Sequence, residues 1–228
     1  MIRVQTFRFR ELAVDTGWIT RELGFSSTKV PENWQKKLDR ALEFAENLTD
    51  ISASWQVLRV DPEVPNQRMI QLEEALFTVG KTIARELHNS QQAALFICTA
   101  GAVIDTEAKR QSQSGDADYG KVLGLVGIAI AEAVADRVHE KVKQIAAKRD
   151  FKVTNRYSPG YCHWHIADQH QLFALFGDEN CGVNVTKSAS LDPVNSVSGI
   201  VGLGSHVEFH GYQCKLCKLE HCMHRRVQ

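Results

Sequence analysis

Apolar residues recur along this chain with two periods, one typical of strands and one typical of helices. Residues 1–10 alternate apolar and charged side chains, which predicts an opening strand, and residues 52–60 predict a second one. The short apolar run Ala93–Thr99 predicts a buried strand that ends before Gly101. Further strands are predicted at 183–187, 196–204 and 207–212.

Apolar positions three and four residues apart predict four helices. One begins at Pro31, a residue suited to a first turn, and another is predicted over residues 72–87. A shorter helix over residues 166–176 is ended by Gly177. The longest, residues 116–148, would measure about 50 Å. Its first half is apolar nearly all round, so we expect it to be buried.

Three glycines and one carboxylate stand out within this long helix. Glycine lowers helix propensity, so Gly120, Gly124 and Gly127 predict close approach of another backbone. Glu132 lies where the apolar half ends, and a buried carboxylate is costly unless it is paired or hydrogen-bonded. Either it reaches solvent or a lysine, or it faces a ligand that carries positive charge or hydroxyls.

Composition narrows the class of protein. The chain has 228 residues, of which 43% are hydrophobic and 24% charged, as in ordinary globular proteins. Its 27 basic and 27 acidic residues favour neither nucleic acid nor an anionic membrane as a partner. The N-terminus is unlike a signal peptide, and the longest apolar stretch, residues 122–131, is shorter than the ~20 residues a bilayer requires. We therefore predict one cytoplasmic domain over residues 1–228.

The stretch Arg156-Tyr-Ser-Pro-Gly-Tyr161 predicts an irregular loop that opens a helix. Pro159 fixes its own φ, and Gly160 can adopt backbone angles that other residues avoid. Such a loop can present backbone groups to a small polar ligand, with Arg156 as a fixed charge and Tyr161 as a flat wall. The alternative is a structural turn with an arginine that forms an incidental salt bridge.

Cysteines cluster in the C-terminal tail, residues 211–228. In a cytoplasmic protein they are expected to be thiols or metal ligands rather than disulfides. Cys214 and Cys217 have the spacing of a zinc site, Cys222 supplies a third thiolate, and Cys162 is a candidate fourth ligand. Three thiolates also suit an iron–sulfur cluster. The alternative is a reduced tail of free thiols. The nearby histidines are expected to face solvent or a ligand: His163, His165 and His170.

Three motifs, in a fixed order over roughly residues 70 to 210, carry a resemblance to a known family. They are Asp118-Tyr119 with Ala131-Glu132-Ala133 and His139-Glu-Lys-Val142; Arg156-Tyr-Ser-Pro-Gly-Tyr161; and Ser196-Val-Ser-Gly199. The chain resembles the activation (reactivation) domain of vitamin B12-dependent methionine synthase, a module that binds S-adenosylmethionine. The resemblance implies an α+β fold in which a twisted antiparallel sheet is flanked by helices.

The resemblance also implies a site. Arg156 would pair with the methionine carboxylate, since its planar fork suits carboxylates. Glu132 would complement the sulfonium or ammonium, and backbone groups around Ser158 and Gly160 would fix the polar parts of the ligand. Tyr161 would pack against the ligand or shape the loop. Phe209 falls near a family position that lines the site.

The implied function is to present the methyl group of S-adenosylmethionine to a cobalamin oxidised to the cob(II) state. The chain lacks methyltransferase, folate and cobalamin modules, so we expect it to act in trans on a cobalamin-dependent methyltransferase, with an electron donor and without turnover of its own. It also departs from the family: Ala129 replaces an arginine, and an acidic ligand contact near the domain start has no counterpart. The alternative function is a zinc or iron–sulfur protein, structural or electron-transferring, that keeps the fold without binding S-adenosylmethionine.

Overall fold

A seven-stranded antiparallel sheet forms the centre of the molecule. The computed structural model describes residues 1–26, 29–64 and 66–210. In chain order the strands are β1 (Arg3–Thr6), β2 (Ser52–Asp61), β3 (Ile70–Leu72), β4 (Ala75–Phe77), β5 (Gln92–Thr99), β6 (Lys152–Tyr157), β7 (Asn184–Val185), β8 (Leu191–Asp192) and β9 (Ser196–Gly204). The main sheet runs β4-β3-β2-β5-β9-β6, β1 pairs with the first half of β2, and β7 and β8 pair separately.

Helices cover both faces of this sheet. They are α1 (Thr16–Glu22), α2 (Glu32–Glu46), α3 (Gly80–Leu87), α4 (Ala102–Gln113), α5 (Ala117–Ala147) and α6 (Asp168–Ala174). The long helix α5 lies against β5, β9 and β6, and α1, α2 and α4 pack on it. Helices α3 and α6 contribute to the core on the opposite face. None of the described helices is long and apolar enough to cross a membrane.

The alternation of side chains along β5 divides the core into two layers, because successive strand residues point to opposite faces. Every residue from Ala93 to Thr99 is buried, so both faces of this strand are covered. The α5 layer receives Ala94, Phe96 and Cys98. The layer of α3 and α6 receives Ala93, Leu95 and Ile97. The predicted α+β fold is therefore confirmed.

The pairing of β6 with β9 contains one irregularity. Val153 lies opposite Leu203, but Arg156 lies opposite Val201, so the register shifts between them. One extra residue is therefore accommodated in β6, as in a β-bulge. The hydroxyl of Thr154 accepts a hydrogen bond from the Gly202 N–H at 2.9 Å and donates one to a main-chain oxygen at 2.8 Å, which satisfies backbone groups at the bulge.

Two predicted elements are wrong. Residues 72–87 are not one helix: the β3–β4 hairpin, with Glu73 at φ 52°, precedes α3. The apolar residues of this hairpin also fit helical spacing. Pairing of β3 with the end of β2 stabilises the strand conformation instead. The strand predicted at 207–212 does not form in its described part, which ends at His210. There the His210 N–H donates to the side chain of Asn155 in β6 rather than to a main-chain oxygen of a neighbouring strand.

The glycines of α5 have different surroundings. A Cβ on Gly120 would lie 2.7 Å from the main-chain oxygen of Ala108 in α4, so the predicted backbone approach is confirmed there. A Cβ on Gly127 would lie 2.3 Å from the side chain of Asn195, which is a side-chain contact instead. Apart from the adjacent backbone of α5 itself, no described atom comes within 4 Å of such a Cβ at Gly124, so the prediction is wrong at that position.

Candidate functional site

The candidate site begins where the end of β6 crosses α5. Arg156 Nη2 lies 3.1 Å from a carboxylate oxygen of Glu132 and 3.1 Å from one of Asp136. The two acids are four residues apart on α5 and therefore share one helix face. Like charges at this spacing repel, and one guanidinium placed between them removes that repulsion. Arg156 Nη1 lies 3.5 Å from the main-chain oxygen of Glu132.

Burial differs among these three side chains. Arg156 is 7% exposed and Glu132 is 16% exposed, whereas Asp136 is 69% exposed. Removing one partner of a buried ion pair leaves an uncompensated charge, so Arg156 and Glu132 depend on each other. Asp136 stays in water and its attraction to Arg156 is weak. Together the three groups carry one positive and two negative charges.

His139 extends the site by one helical turn beyond Asp136. Its Nε2 lies 3.0 Å from the main-chain oxygen of Thr154, and since a carbonyl oxygen only accepts, Nε2 donates the proton. Burial, and next the positive charge of Arg156, lower the pKa of His139. The ring of Phe209 lies against the imidazole with 5.6 Å between centroids. His139 is therefore a neutral contact between α5, the bulge and Phe209.

The segment after β6 is a tight turn closed by its own backbone. Tyr161 N–H donates to Ser158 O at 3.2 Å, and Gly160 lies at φ 95°, as the third position of a type II turn requires. Gly160 N–H donates to Trp164 O, and Trp164 N–H donates to Tyr161 O, both at 2.8 Å. The N–H groups of Gly160 and Tyr161 are thus used within the loop. That backbone groups around Ser158 and Gly160 contact a ligand stays a prediction.

Ser158 continues the site on the α5 side of the sheet. A Cβ placed on Gly199 of β9 would lie 3.0 Å from the Ser158 hydroxyl and 2.8 Å from the ring of Phe96, a residue of the α5 layer. The small residue at 199 therefore lets the start of the loop settle onto β9. This explains why a glycine follows Ser196-Val-Ser in a strand that is otherwise suited to branched residues.

The structure brings some predicted site residues together and separates others. Arg156 contacts Glu132 directly, and Ser158 follows on the same side of the sheet. Phe209 is 56% exposed and reaches the site through His139, while the side chain of Tyr161 is 46% exposed. Arg156 was expected on a loop, which is wrong: it is the penultimate residue of strand β6.

Two residues of the site were not predicted, Asp136 and His139. The available signal was their spacing from Glu132, four and seven residues along one helix, which places all three on one face. The residues past Asp136 are mostly charged, a composition that is typical of any helix emerging into solvent. The cation that this face contacts is Arg156, which belongs to β6, so the pattern of the helix alone does not reveal it.

The predicted metal ligands are only partly described. Cys214, Cys217 and Cys222 lie outside the described residues. Cys162 is partly buried, and within residues 1–26, 29–64 and 66–210 no group of three His, Cys, Asp or Glu side chains is arranged to hold a metal ion. His163, His165 and His170 are all exposed, consistent with the expectation that they face solvent.

Two cysteines near the sheet are thiols. Burial raises the pKa of Cys98, which lies on β5 in the α5 layer, and burial also raises the pKa of Cys181, to about 12. A protonated thiol is a poor nucleophile and a poor metal ligand. Cys98 and Cys181 are therefore core residues rather than reactive groups.

The charges of the site suit a small zwitterion with additional positive charge. Arg156 offers a nearly buried guanidinium to a carboxylate, and Glu132 and Asp136 offer two carboxylates to cations. Ser158 adds a hydroxyl on the same side of the sheet, and Phe209 adds an aromatic face against His139. These groups make this face of the molecule a candidate binding site.

Comparison with known families identifies the chain. The model of the family described as vitamin B12 dependent methionine synthase, activation domain, matches residues 46–225. The chain belongs to this family. The match includes α5, β6, the turn after β6 and β9, so it contains every element that forms the site. The resemblance inferred from the sequence is thereby confirmed.

A solved structure supports the same assignment of fold. It is the crystal structure of the MetH reactivation domain bound to AdoHcy, at 13% sequence identity and a TM-score of 0.69, with 92% of this chain and 80% of that chain covered. At this identity the likeness shows a shared activation-domain fold. Comparison with curated proteins gave no significant match.

Proposed function

We propose that this protein binds S-adenosylmethionine at the α5–β6 site and acts as a reactivation factor for a cobalamin-dependent methionine synthase or a related corrinoid methyltransferase. We further propose that it acts in trans, in the cytoplasm, on a partner that carries the cobalamin. Membership of the activation-domain family supports the function, and a neighbour of the same fold is bound to AdoHcy.

The observation that carries the proposal is the position of Arg156. It is 7% exposed, held by Glu132 at 3.1 Å, and located just before the Ser-Pro-Gly-Tyr turn. A nearly buried guanidinium has a fixed direction and suits bidentate pairing with a carboxylate. Asp136, whose side chain is 69% exposed, lies 3.1 Å from Nη2 of Arg156. A ligand carboxylate would take the place of this exposed and weakly held partner.

The remaining residues would hold the other parts of the ligand. Glu132 would complement the ammonium or sulfonium group, and the Ser158 hydroxyl lies on the same side of the sheet as Arg156. Phe209 would cover an apolar part of the ligand next to His139. Tyr161 and Gly160 would set the shape of the loop that borders the site.

The supported reaction is a reductive methylation on the partner. A one-electron donor reduces the partner's cob(II)alamin to cob(I)alamin, which takes the methyl group of S-adenosylmethionine and releases S-adenosylhomocysteine. The residues of this chain bind and orient the methyl donor and supply neither the electron nor the cobalt. We therefore expect no turnover by the isolated protein.

Calorimetry with S-adenosylmethionine tests the binding. The wild-type protein should show saturable binding, and Arg156→Ala should abolish it, whereas Arg59→Ala, which removes an exposed arginine from β2, should bind like the wild type. Because Arg156→Ala leaves Glu132 without its partner, Arg156→Lys is the second variant. It keeps the charge without the planar fork and should bind more weakly while remaining folded.

Activity in trans needs a separate assay. A cobalamin-dependent methyltransferase in the cob(II) state is incubated with a one-electron reductant and S-adenosylmethionine labelled in its methyl group. Label should reach the cobalamin only when this protein is present, and Arg156→Ala should not support it. No binding at millimolar S-adenosylmethionine would overturn the proposal. A purified protein that then contained zinc or iron would support the metal-binding alternative predicted from Cys214, Cys217 and Cys222.

A further inference from the structure

We propose that Asp136 makes the site prefer the cationic methyl donor over its demethylated product, an inference that rests on the proposed function. Asp136 lies 3.1 Å from Arg156, on the helix face that also carries Glu132. It is the most exposed of the three charged groups, with 69% of its side chain accessible. Its carboxylate therefore borders the space that a ligand on Arg156 enters.

The preference follows from the charge of the cluster. One guanidinium and two carboxylates sum to one negative charge. S-adenosylmethionine carries a sulfonium, an ammonium and a carboxylate, and therefore one net positive charge. S-adenosylhomocysteine has a neutral thioether in place of the sulfonium and carries no net charge. The cluster thus attracts the donor by a Coulomb term that the product lacks.

Connectivity of the ligand puts its sulfur near these carboxylates. Only three carbon atoms separate the sulfur from the carboxylate carbon, so a carboxylate held by Arg156 keeps the sulfonium close to the cluster. Glu132 is needed as the buried partner of Arg156, whereas Asp136 is exposed. Asp136 is therefore the excess charge, and a change at Asp136 leaves the buried pair intact.

The excess negative charge favours binding of the donor before methyl transfer and release of the product after it. Transfer of the methyl group removes the positive charge from the ligand, and the attraction to the cluster falls in the same step. A site with this excess charge holds the donor more tightly than the product, so product release is favoured after each methylation. A cluster without Asp136 would be neutral and would distinguish the two ligands less well.

The test compares two ligands across four proteins by calorimetry. S-adenosylmethionine and S-adenosylhomocysteine share the carboxylate, the ammonium and the adenosine, so the ratio of their Kd values isolates the effect of the sulfonium charge. The proteins are the wild type, Asp136→Asn, Asp136→Glu and Glu43→Gln. Glu43 is exposed on α2, and its change alters net charge as much as Asp136→Asn does.

We expect Asp136→Asn to lower the preference for S-adenosylmethionine by about twofold to fivefold, the effect of a unit charge at an exposed site. Asp136→Glu and Glu43→Gln should keep the wild-type ratio, and added salt should reduce the preference in the wild type. An unchanged ratio in Asp136→Asn would overturn the inference, even if both ligands bound more tightly because Arg156 had lost a competing carboxylate. Wild-type protein that bound neither ligand would instead overturn the proposed function.

Discussion

Gly199 lies so close to Tyr157 that a Cβ atom on it would be 2.3 Å from the Tyr157 main-chain oxygen. Because that oxygen belongs to the strand that carries Arg156, a side chain at 199 would push the end of β6 away from β9. The Ser158 hydroxyl, 3.0 Å from the same Cβ, would move with it. The Ser-Val-Ser-Gly sequence of β9 thus controls the position of the site.

We predict that Gly199→Ala lowers the free energy of unfolding by about 1–3 kcal/mol, as overpacking of a buried position does. Affinity for S-adenosylmethionine should fall by a larger factor than stability alone explains, because the shift is concentrated at Arg156 and Ser158. Urea unfolding and calorimetry on the same preparation measure the two effects. Wild-type stability in this variant would show that β6 has room to move, contrary to the geometry.

The glycines of α5 provide a matched pair of substitutions. Gly124→Ala meets no atom within 4 Å and should stabilise the protein by up to ~1 kcal/mol, since alanine has the higher helix propensity. Gly127→Ala makes the same chemical change three residues later, where the new Cβ would lie 2.3 Å from the Asn195 amide. This variant should be destabilised. Thermal unfolding of both proteins tests the opposite signs, and equal shifts would contradict the packing described for α5.

Asp105 of α4 holds the segment that leads into β9. Its carboxylate accepts hydrogen bonds from the Val194 N–H at 2.5 Å and from the side-chain amide of Asn195, and both Asp105 and Asn195 are buried. Asp105→Ala leaves these donors without that acceptor, so we predict a loss of about 1–3 kcal/mol in the free energy of unfolding. Denaturant titration measures the loss. Asp39→Ala, at an exposed position of α2, is the control and should change little.

The pH dependence of stability contains a contribution from His139. Burial, followed by the charge of Arg156, lowers its pKa in the folded protein. As pH falls below the ordinary value of about 6.5, the unfolded chain takes up the proton first, so stability decreases with falling pH until the lower folded pKa is reached. His139→Gln can keep an N–H donor for the Thr154 oxygen and removes the titration. Its unfolding midpoint should fall less than that of the wild type between about pH 7.5 and pH 5.5.

Substitution of Phe209 should affect ligand binding more than the free energy of unfolding. Its ring is 56% exposed and contacts His139 at 5.6 Å between centroids, an arrangement worth about 0.5–1.5 kcal/mol at most. We predict that Phe209→Ala costs little stability but weakens S-adenosylmethionine binding, if the ring covers the ligand as proposed. Phe209→Leu should restore part of the affinity. Wild-type affinity in both variants would remove Phe209 from the site.

The sequence was most informative where one element is buried on both sides. The strand at 93–99 and the first half of α5 were predicted because their apolar residues leave almost no solvent-facing side. The β3–β4 hairpin was mistaken for a helix since three-residue strands are too short to show alternation, and pairing with β2 decides their conformation. Helix α4 was missed because its polar residues obscure any apolar stripe.

The site was predictable only in part, because contacts between elements far apart in the sequence do not appear in local patterns. Arg156 and Glu132 were identified through motifs, but the sequence did not show that they pair with each other. That contact joins positions 24 residues apart, and it depends on how β6 lies across α5. Asp136 becomes relevant only once this contact is known. Local patterns specify which elements form, whereas the partners of a charge come from tertiary packing.

The bulge in β6 makes the site depend on a count of residues. With the register that Val153 begins opposite Leu203, an unbroken ladder would set Asn155 against Val201 and Arg156 against Ile200, a residue of the opposite layer. The observed shift sets Arg156 against Val201, which faces α5. If β6 kept all its residues but paired without the bulge, the guanidinium would therefore turn to the wrong side of the sheet. Deleting one residue between Val153 and Arg156 would instead remove the bulge and keep Arg156 opposite Val201. In this segment the number of residues and the bulge that accommodates the extra one must match, so the spacing of the chain is under as strict a constraint as its chemistry.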